Sequence, residues 1–223
     1  MDVERLLREL PGAFADFPRS ETPADRRLRP LCDAVEGLSE ENNLALLALA
    51  AGCLEPGECY VEAGSYRGRS LIAAALGGAE TAIGIDNFSF DDSDPAGLAA
   101  NLERFGVADR VRVIDGDTVS VLREHRLPPI GAFFYDADHS TAATRAALDA
   151  VRPLLAGSAL IVVDDAEWPK VRAATDAFVA ANPEAELRLR IAGRADGRPW
   201  WWDGMDLVAW HGDSPRAGTV PGV

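Results

Sequence analysis

The stretch Ala132-Phe-Phe-Tyr-Asp136-Ala-Asp138-His139 is an apolar run that ends in two acids and a histidine. A continuous apolar run of this length is typical of a strand buried on both faces, as in parallel sheets that helices cover. The polar residues that follow such a strand emerge at the carboxyl edge of the sheet. In open α/β sheets that edge is where ligands bind, so we expect these side chains to face a ligand.

A second run of the same kind occurs later in the chain, Ala159-Leu-Ile-Val-Val-Asp164-Asp165-Ala-Glu167-Trp168. Because neighbouring parallel strands end at the same edge, we expect Asp136, His139, Asp164 and Asp165 to converge. Carboxylates held close together repel one another, and a divalent cation is the simplest way to keep them all ionised. Oxygen ligands favour a hard metal, so the two runs predict a Mg²⁺ site.

The chain between and around these runs alternates apolar segments of strand and helix length. We predict strands near 59–63, 81–86, 110–114, 131–135 and 158–163, and helices near 39–54, 68–77, 95–105, 117–125, 140–155 and 168–181. Two further strands, near 186–191 and 206–210, follow one another without a helix and are predicted to pair as an antiparallel hairpin. The fold class is therefore α/β: a single-domain, doubly wound, mostly parallel seven-stranded sheet with an antiparallel C-terminal hairpin.

The two ends of the chain differ from this regular pattern. Residues 3–14 have helical spacing, and the prolines that follow indicate an irregular segment. We predict an N-terminal segment over 1–38 that is a lid, an oligomer arm or both, a ligand-binding domain over 39–211, and a flexible Gly- and Pro-rich tail over 212–223. The oligomeric state stays open, with a homo-oligomer as one alternative.

Charge and cysteine content exclude several classes of partner. The 223-residue chain has a formal net charge of −14, so nucleic acid is not an expected partner. Its three cysteines, Cys32, Cys53 and Cys59, have no C-x-x-C spacing, which argues against a zinc site or a disulfide framework. No leader pattern and no membrane-spanning apolar stretch is expected. These features favour a cytoplasmic protein with a small-molecule ligand.

A glycine-containing loop follows the first predicted strand, Tyr60-Val-Glu62-Ala-Gly64-Ser65-Tyr66-Arg67-Gly68-Arg69-Ser70. It stands where doubly wound folds cradle a nucleotide, yet its spacing is not the G-x-G-x-x-G of dinucleotide binding. Glu62 would repel a pyrophosphate and suits a cationic ligand instead. S-adenosylmethionine carries an ammonium and a sulfonium but no phosphate, so Glu62 near the amino group and Gly64 beneath the chain are chemically sensible.

Acids at the ends of the next two predicted strands support an adenosine ligand. Asp86 stands at the usual position for binding ribose hydroxyls, with Asn87 beside it. Gly116 and Asp117 follow the third strand and are predicted to border the adenine, with Asp117 accepting from its amino group.

These motifs together resemble the class I S-adenosylmethionine-dependent methyltransferases over roughly residues 40–210. Four segments are more narrowly similar to the macrocin-type, metal-dependent sugar O-methyltransferases: Val61-Glu-Ala-Gly-Ser-Tyr-Arg-Gly-Arg-Ser70, Gly84-Ile-Asp-Asn-Phe-Ser89, Tyr135-Asp-Ala-Asp-His-Ser140 and Val162-Val-Asp-Asp165. The chain lacks the large extra N-terminal domain of some sugar-modifying relatives. Members of the same broad group are linked to cephalosporin hydroxylation, so that activity stays an alternative, as does a non-catalytic S-adenosylmethionine-binding protein.

The resemblance implies a role for each matching residue. It implies that Mg²⁺ is bound by Asp136, Asp164 and Asp165, and that His139 is the catalytic base. The predicted cofactor-binding residues are Glu62, Gly64, Ser65, Tyr66, Ser70, Asp86, Asn87, Gly116, Asp117 and Asp136. The implied reaction transfers a methyl group from S-adenosylmethionine to a hydroxyl of a small molecule, such as a natural-product sugar, whose oxygen loses its proton to the base.

Each assignment has a structural alternative. The strand-end acids could cap helices or pair with arginines, and Asp138 could be a helix N-cap rather than a ligand. His139 could be a first-turn helix residue that donates to a backbone carbonyl. Trp168 and residues 200–202, all tryptophan, could line the substrate site, fill the core or form a dimer interface. Arg67 and Arg69 could pair with surface acids or reach a carboxylate of the ligand.

Overall fold

Seven strands form a single mixed sheet in the computed structural model, which describes residues 1–193 and 200–212. The order across the sheet is β3-β2-β1-β4-β5-β7-β6, and only β7 runs antiparallel to its neighbours. The strands are β1 (Cys59–Ala63), β2 (Ala82–Asp86), β3 (Val111–Asp115), β4 (Ile130–Tyr135), β5 (Leu155–Asp164), β6 (Ala185–Ile191) and β7 (Met205–His211). The predicted fold class is confirmed, including the C-terminal hairpin.

Helices cover both faces of this sheet. They are α1 (Val3–Glu9), α2 (Arg29–Ala34), α3 (Glu41–Ala51), α4 (Arg69–Gly77), α5 (Pro95–Arg104), α6 (Thr118–Glu124), α7 (Thr141–Val151) and α8 (Pro169–Ala181). Short 3₁₀ turns extend α1 over Leu10–Ala13 and α7 over Arg152–Leu154. Every residue of β1 and β4 is buried, which explains why β4 is continuously apolar rather than alternating and why β1 is apolar except for Glu62.

The strand order reverses its direction of growth between β1 and β4, and this reversal positions the ligand crevice. The two strands are parallel neighbours, and Ala63 lies opposite Tyr135 at their carboxyl ends. The loops that follow them therefore diverge, one toward each face of the sheet. The crevice between such loops is the usual ligand site of doubly wound folds.

The N-terminal segment is more ordered and more buried than its sequence predicts. Val3, Leu6 and Leu10 pack into the core cluster that also contains residues of α3. Residues 15–38, predicted to be irregular, contain the short helix α2, because Pro30 stands in its first turn, where no backbone N–H is needed. Leu31 of α2 is 1% exposed. The role of residues 1–38 as a lid or oligomer arm stays a prediction.

One of the three consecutive tryptophans belongs to the core. Trp201 is 1% exposed, and its ring packs against Phe14 and Phe17. Its indole Nε1 donates to the carbonyl oxygen of Pro18 at 2.7 Å. Trp201 is therefore a core residue, as one of the alternatives predicted. Its contacts hold the N-terminal segment against the residues that precede β7.

The remaining predictions concern the C-terminal tail and membrane-spanning helices. The tail predicted over 212–223 lies outside the described residues, apart from Gly212. Within the described residues, no helix has the length and apolar content needed to cross a bilayer.

Candidate active site

A cavity of about 560 Å³ opens at the carboxyl ends of β1, β2 and β4. This volume is typical of sites for drug-sized ligands and nucleosides. Nine of the ten predicted cofactor-binding residues line it: Gly64, Ser65, Tyr66, Ser70, Asp86, Asn87, Gly116, Asp117 and Asp136. His139 lines it as well, whereas Glu62 is fully buried and does not line it. The structure thus gathers residues from four separate loops around one space, which is hereafter the main cavity.

The loop after β1 can approach the loop after β4 only because it contains Gly64. The φ angle of Gly64 is 90°, in the left-handed region that L side chains rarely adopt. A Cβ atom on this residue would also overlap the backbone carbonyl oxygen of Asp136. A second left-handed glycine, Gly68, begins α4 and turns the chain into the helix.

We expect Gly64→Ala to destabilise the protein and to abolish cofactor binding, because it adds backbone strain and a collision with Asp136. Gly57→Ala is a matched control: the φ angle of Gly57 is 83°, but a Cβ there meets no atom within 4 Å. Strain alone should cost about 1–2 kcal/mol at Gly57, and the added collision should bring the loss at Gly64 to about 3 kcal/mol or more. Urea denaturation measures both. Equal losses in the two variants would show that the close approach to Asp136 has no energetic weight.

Asp86 holds the glycine loop in place. Its Oδ2 accepts hydrogen bonds from the backbone N–H groups of Ser65 at 2.8 Å and Tyr66 at 2.7 Å. Its Oδ1 accepts from the backbone N–H of Phe88 at 2.7 Å. A carboxylate has room for about four hydrogen bonds, so these three leave capacity for a ribose hydroxyl. Asp86 is therefore both a loop anchor and a member of the cavity wall.

Glu62 is a buried acid with incomplete hydrogen bonding. Its Oε2 accepts from the hydroxyl of Tyr60 at 2.9 Å, while Oε1 is buried without a partner among the described residues. Burial raises the pKa of Glu62 to about 8, against the opposing influence of the nearby hydroxyls of Ser65 and Ser70. A cation that comes within reach of Oε1 would be stabilised strongly, because water screens it little there.

The raised pKa of Glu62 predicts a pH-dependent stability in the absence of ligand. Between the ordinary glutamate pKa of 4.5 and the folded-state pKa of about 8, the unfolded chain ionises Glu62 while the folded protein keeps it protonated. The free energy of unfolding should therefore fall by about 1.4 kcal/mol per pH unit across this window, and this loss is complete above it. Glu62→Gln should remove the fall, so its advantage over wild type grows from pH 5 to pH 8 in urea denaturation. Parallel curves would contradict the assignment.

Asp136, His139 and Asp165 meet at one side of the main cavity. One ligand atom from each lies within 4.8 Å of the other two. Nε2 of His139 is 2.6 Å from Oδ2 of Asp165 and 3.7 Å from Oδ1 of Asp136. Oδ1 of Asp165 is buried without a hydrogen-bond partner in the described part of the chain. This group is hereafter the acid–histidine cluster.

Asp165 has a left-handed backbone conformation. Its φ angle is 52°, a left-handed conformation that is uncommon outside glycine, asparagine and aspartate. This turn directs the side chain that follows β5 back toward the end of β4. Strained conformations of this kind cluster at functional sites.

The two carboxylates of the acid–histidine cluster are stabilised by a nearby positive charge. The carboxylates of Asp136 and Asp165 raise the pKa of His139 to about 10, against the opposing influence of burial. Burial likewise raises the pKa of Asp136 above its ordinary value, and the charge of Asp165 adds to this shift. A bound proton on His139 therefore supplies the compensating charge when no other cation is present.

Asp164 stands beside this cluster rather than within it. Its Oδ1 accepts a hydrogen bond from the backbone N–H of Asp165 at 3.0 Å, and its side chain is buried. Burial raises its pKa well above the usual range, with further contributions from the charges of Asp136 and Asp165. Two of the three predicted metal ligands are thus brought together with His139, and the third lies in the same electrostatic environment.

Two further acids stabilise local turns. Asp117 is the N-cap of α6 and accepts from the backbone N–H of Ser120 at 2.9 Å. Asp138 accepts from the backbone N–H of Ser140 at 2.7 Å, and Ser140 rather than Asp138 is the N-cap of α7. The alternative that Asp138 is the N-cap of α7 is therefore wrong, because the N-cap lies two residues later.

One wall of the main cavity, residues 36–39, was not predicted from any sequence pattern. Arg69 fixes this wall: its guanidinium donates to the carbonyl oxygens of Val35 at 2.7 Å and Ser39 at 2.9 Å. Arg67 pairs with Glu36 at 2.7 Å. Both arginines are thus engaged within the protein, which favours a structural role over binding of a ligand carboxylate. The only available signal was their position in the glycine loop, since their partners lie about 30 residues away in sequence.

Known proteins share this architecture. A family model described as a methyltransferase domain matches residues 61–166. An O-methyltransferase from Bacillus cereus, solved with S-adenosylhomocysteine, superposes with a TM-score of 0.62 at 18% identity over 84% of this chain and 92% of that one. TomG from Streptomyces achromogenes, an O-methyltransferase of tomaymycin synthesis solved with S-adenosylmethionine, gives 0.62 at 19% identity over 95% and 100%.

A sugar-modifying enzyme is also among the structural neighbours. CalS11, a TDP-rhamnose 3′-O-methyltransferase of calicheamicin biosynthesis, gives a TM-score of 0.55 at 22% identity over 93% of this chain and 92% of that one. At these identities the likenesses show the fold, and no curated protein sequence matches the chain. Together with the match of residues 61–166 to a methyltransferase domain, these likenesses show that the chain has the class I S-adenosylmethionine-dependent methyltransferase fold.

Proposed function

We propose that the protein transfers the methyl group of S-adenosylmethionine to a hydroxyl of a small molecule, with the help of a divalent cation such as Mg²⁺. The observation that carries this proposal is the acid–histidine cluster at the side of the main cavity. It puts a base and two carboxylates beside the space that suits the methyl donor. That combination serves the deprotonation of an oxygen nucleophile.

The main cavity suits S-adenosylmethionine in shape and in charge. Asp86 and Asn87 line it at the end of β2, where ribose hydroxyls are bound in doubly wound folds. Gly116 and Asp117 line it at the end of β3, and we assign them to the adenine. Glu62, two residues before Gly64, has a buried oxygen without a partner among the described residues, and we assign it to the amino group of the methionine portion.

The acid–histidine cluster fits a hard divalent cation. Its carboxylates repel one another, and Oδ1 of Asp165 is buried without a partner in the described residues. We assign Asp136 and Asp165 as ligands and include Asp164, whose pKa is raised by burial first and then by the charges of both. A bound cation would lower the pKa of a hydroxyl that coordinates to it. It would also offset the negative charge that keeps His139 protonated.

His139 is the proposed base. When its imidazole is neutral, it accepts the proton of the acceptor hydroxyl at a ring nitrogen while the oxygen attacks the methyl carbon. The bond from sulfur to that carbon breaks, and its electron pair stays on sulfur. Charge is neutralised in this step, so a site that excludes water assists it.

The comparisons support a natural-product substrate. CalS11 modifies a nucleotide-linked deoxysugar and TomG acts in tomaymycin synthesis. We propose a hydroxylated small molecule of this kind, such as a glycoside. We also propose a cytoplasmic location, since Cys32, Cys53 and Cys59 are all free thiols.

The decisive assay measures S-adenosylhomocysteine formed from purified protein, S-adenosylmethionine and a panel of sugar and phenol acceptors, with Mg²⁺ or with chelator. We expect product with at least one acceptor, lost on chelation and restored by Mg²⁺. Turnover that is indifferent to chelation would contradict the metal assignment. A protein of the cephalosporin-hydroxylase kind would form no S-adenosylhomocysteine, and failure to bind S-adenosylmethionine at all would contradict the proposal as a whole.

A further inference from the structure

A second cavity, of about 490 Å³, adjoins the main cavity at the proposed base. It is lined by Asp138, His139, Ser140, Trp168, Pro169 and Lys170. Asp138 and His139 line the main cavity too, so the two spaces meet at these residues. A molecule in the second cavity would therefore contact the same imidazole that borders the methyl-donor site.

The apolar wall of the second cavity is held in position. The indole ring of Trp168 lies 5.1 Å from the imidazole of His139, and its Nε1 donates to Oδ2 of Asp203 at 3.0 Å. The side chain is nevertheless 44% exposed, although large apolar groups in the described residues are mostly buried. An anchored, exposed indole next to a cavity offers a flat surface to a sugar or aromatic ring.

The basic residue of this cavity is exceptional in the sequence. Lys170 is the only lysine among the 22 lysines and arginines of the chain. Within residues 1–193 and 200–212 it forms no ion pair, whereas Arg67 beside the main cavity is paired with Glu36. Asp138 lines the same cavity; its Oδ1 already accepts from the backbone N–H of Ser140, which lowers its pKa, and Lys170 helps to lower that pKa further.

The charge of the whole protein makes a local cation necessary for any anionic ligand. A formal net charge of −14 repels anions from the surface as a whole. An anionic group can bind beside the acid–histidine cluster only if a nearby positive charge compensates. Lys170 meets this need, and the start of α8 adds a partial positive charge, because Trp168 provides no capping side chain there.

On the basis of the function proposed above, we infer that the second cavity binds the methyl acceptor and that Lys170 selects acceptors bearing a carboxylate or phosphate. The ring of the acceptor lies against Trp168, its hydroxyl faces His139, and its anionic group pairs with Lys170. Lys170 is thereby a specificity-determining residue rather than a catalytic one.

The test is calorimetric titration of matched probes into protein loaded with S-adenosylhomocysteine and Mg²⁺. One pair is 3,4-dihydroxybenzoate and neutral 3,4-dihydroxybenzaldehyde, and the other is glucose 1-phosphate and neutral methyl glucoside. We expect one anionic probe to bind about fivefold more tightly than its neutral partner, as one lysine–anion pair allows. The pair that shows the preference identifies the group as carboxylate or phosphate.

Variants assign the preference to one side chain. Lys170→Gln should abolish it without changing the affinity for neutral probes, and Lys170→Arg should keep most of it. Arg145→Gln removes the same charge from α7 at a position that lines neither cavity, and it should leave the preference intact. Added salt should weaken only the anionic probes.

Equal affinities within both pairs, or no binding of either anionic probe, would overturn the role of Lys170. So would a preference that persists in Lys170→Gln. These results are distinct from failure of the proposed function, which would appear in the loading step as the absence of S-adenosylhomocysteine binding.

Discussion

Asp165→Asn is expected to lower kcat/KM by roughly 1,000-fold, because it removes one charged oxygen donor from the acid–histidine cluster. Asparagine tolerates the left-handed backbone conformation that Asp165 adopts, so the fold should persist. Asp165 does not line the main cavity, and the affinity for S-adenosylmethionine should change little. Steady-state kinetics over a range of Mg²⁺ concentrations, together with calorimetry of both ligands, measures these effects.

Glu167→Gln is the matched control for this substitution. Glu167 is an exposed acid in the same loop and is not a member of the cluster. Its replacement should leave kcat/KM and Mg²⁺ dependence near the wild-type values. If Asp165→Asn kept full activity at limiting Mg²⁺, Asp165 would not be a metal ligand.

His139→Ala is expected to lower kcat by about 10²–10⁴-fold, the usual contribution of a general base. Wild-type kcat should rise with pH as the imidazole loses its proton, because only the neutral form accepts the proton of the acceptor. The variant should lack this rise. Without a bound cation, Asp136 and Asp165 raise the pKa of His139 to about 10, so the rise of kcat in the Mg²⁺-loaded enzyme should lie below that pH. Kinetics across pH 6–9 test this.

His125→Ala provides the control for loss of a histidine. His125 ends α6 and lines neither cavity, so its removal should not change the pH profile. S-adenosylmethionine should still bind His139→Ala, which separates a catalytic role from a structural one. A variant that retained both wild-type kcat and its pH dependence would eliminate His139 as the base.

The positions of the strands were predictable because burial on both faces imposes continuous apolar sequence. The predicted limits 59–63 match β1 as observed. For two of the elements whose observed limits differ from the predicted ones, a local sequence feature explains the difference. The strand β5 begins at Leu155 rather than near 158, since the partly exposed Gly157 and Ser158 interrupt the apolar run. The helix α7 ends at Val151, because Pro153 forces the 3₁₀ turn that follows.

The convergence of distant acids was also predictable, because parallel topology brings strand ends together. Side-chain direction was not. Asp164 and Asp165 are adjacent in sequence, yet a left-handed turn puts only Asp165 into the acid–histidine cluster, while Asp164 binds the backbone. Aspartate tolerates this conformation, but two adjacent aspartates do not specify which of them adopts it.

Contacts between remote segments were the other unpredictable part of the site. Arg69 holds the wall at residues 36–39 through backbone carbonyls, which carry no side-chain identity for a sequence pattern to reveal. Lys170 was visible as the only lysine of the chain. Its proposed role depends on the second cavity, and that cavity exists because the start of α8 packs beside His139.

The most direct test of the metal-assisted mechanism is anomalous diffraction from crystals grown with Mn²⁺ and S-adenosylhomocysteine. We predict one strong anomalous peak at coordination distance from carboxylate oxygens of Asp136 and Asp165, with the nucleoside in the main cavity beside it. Absence of a peak in the acid–histidine cluster, or a nucleoside bound elsewhere, would contradict the mechanism.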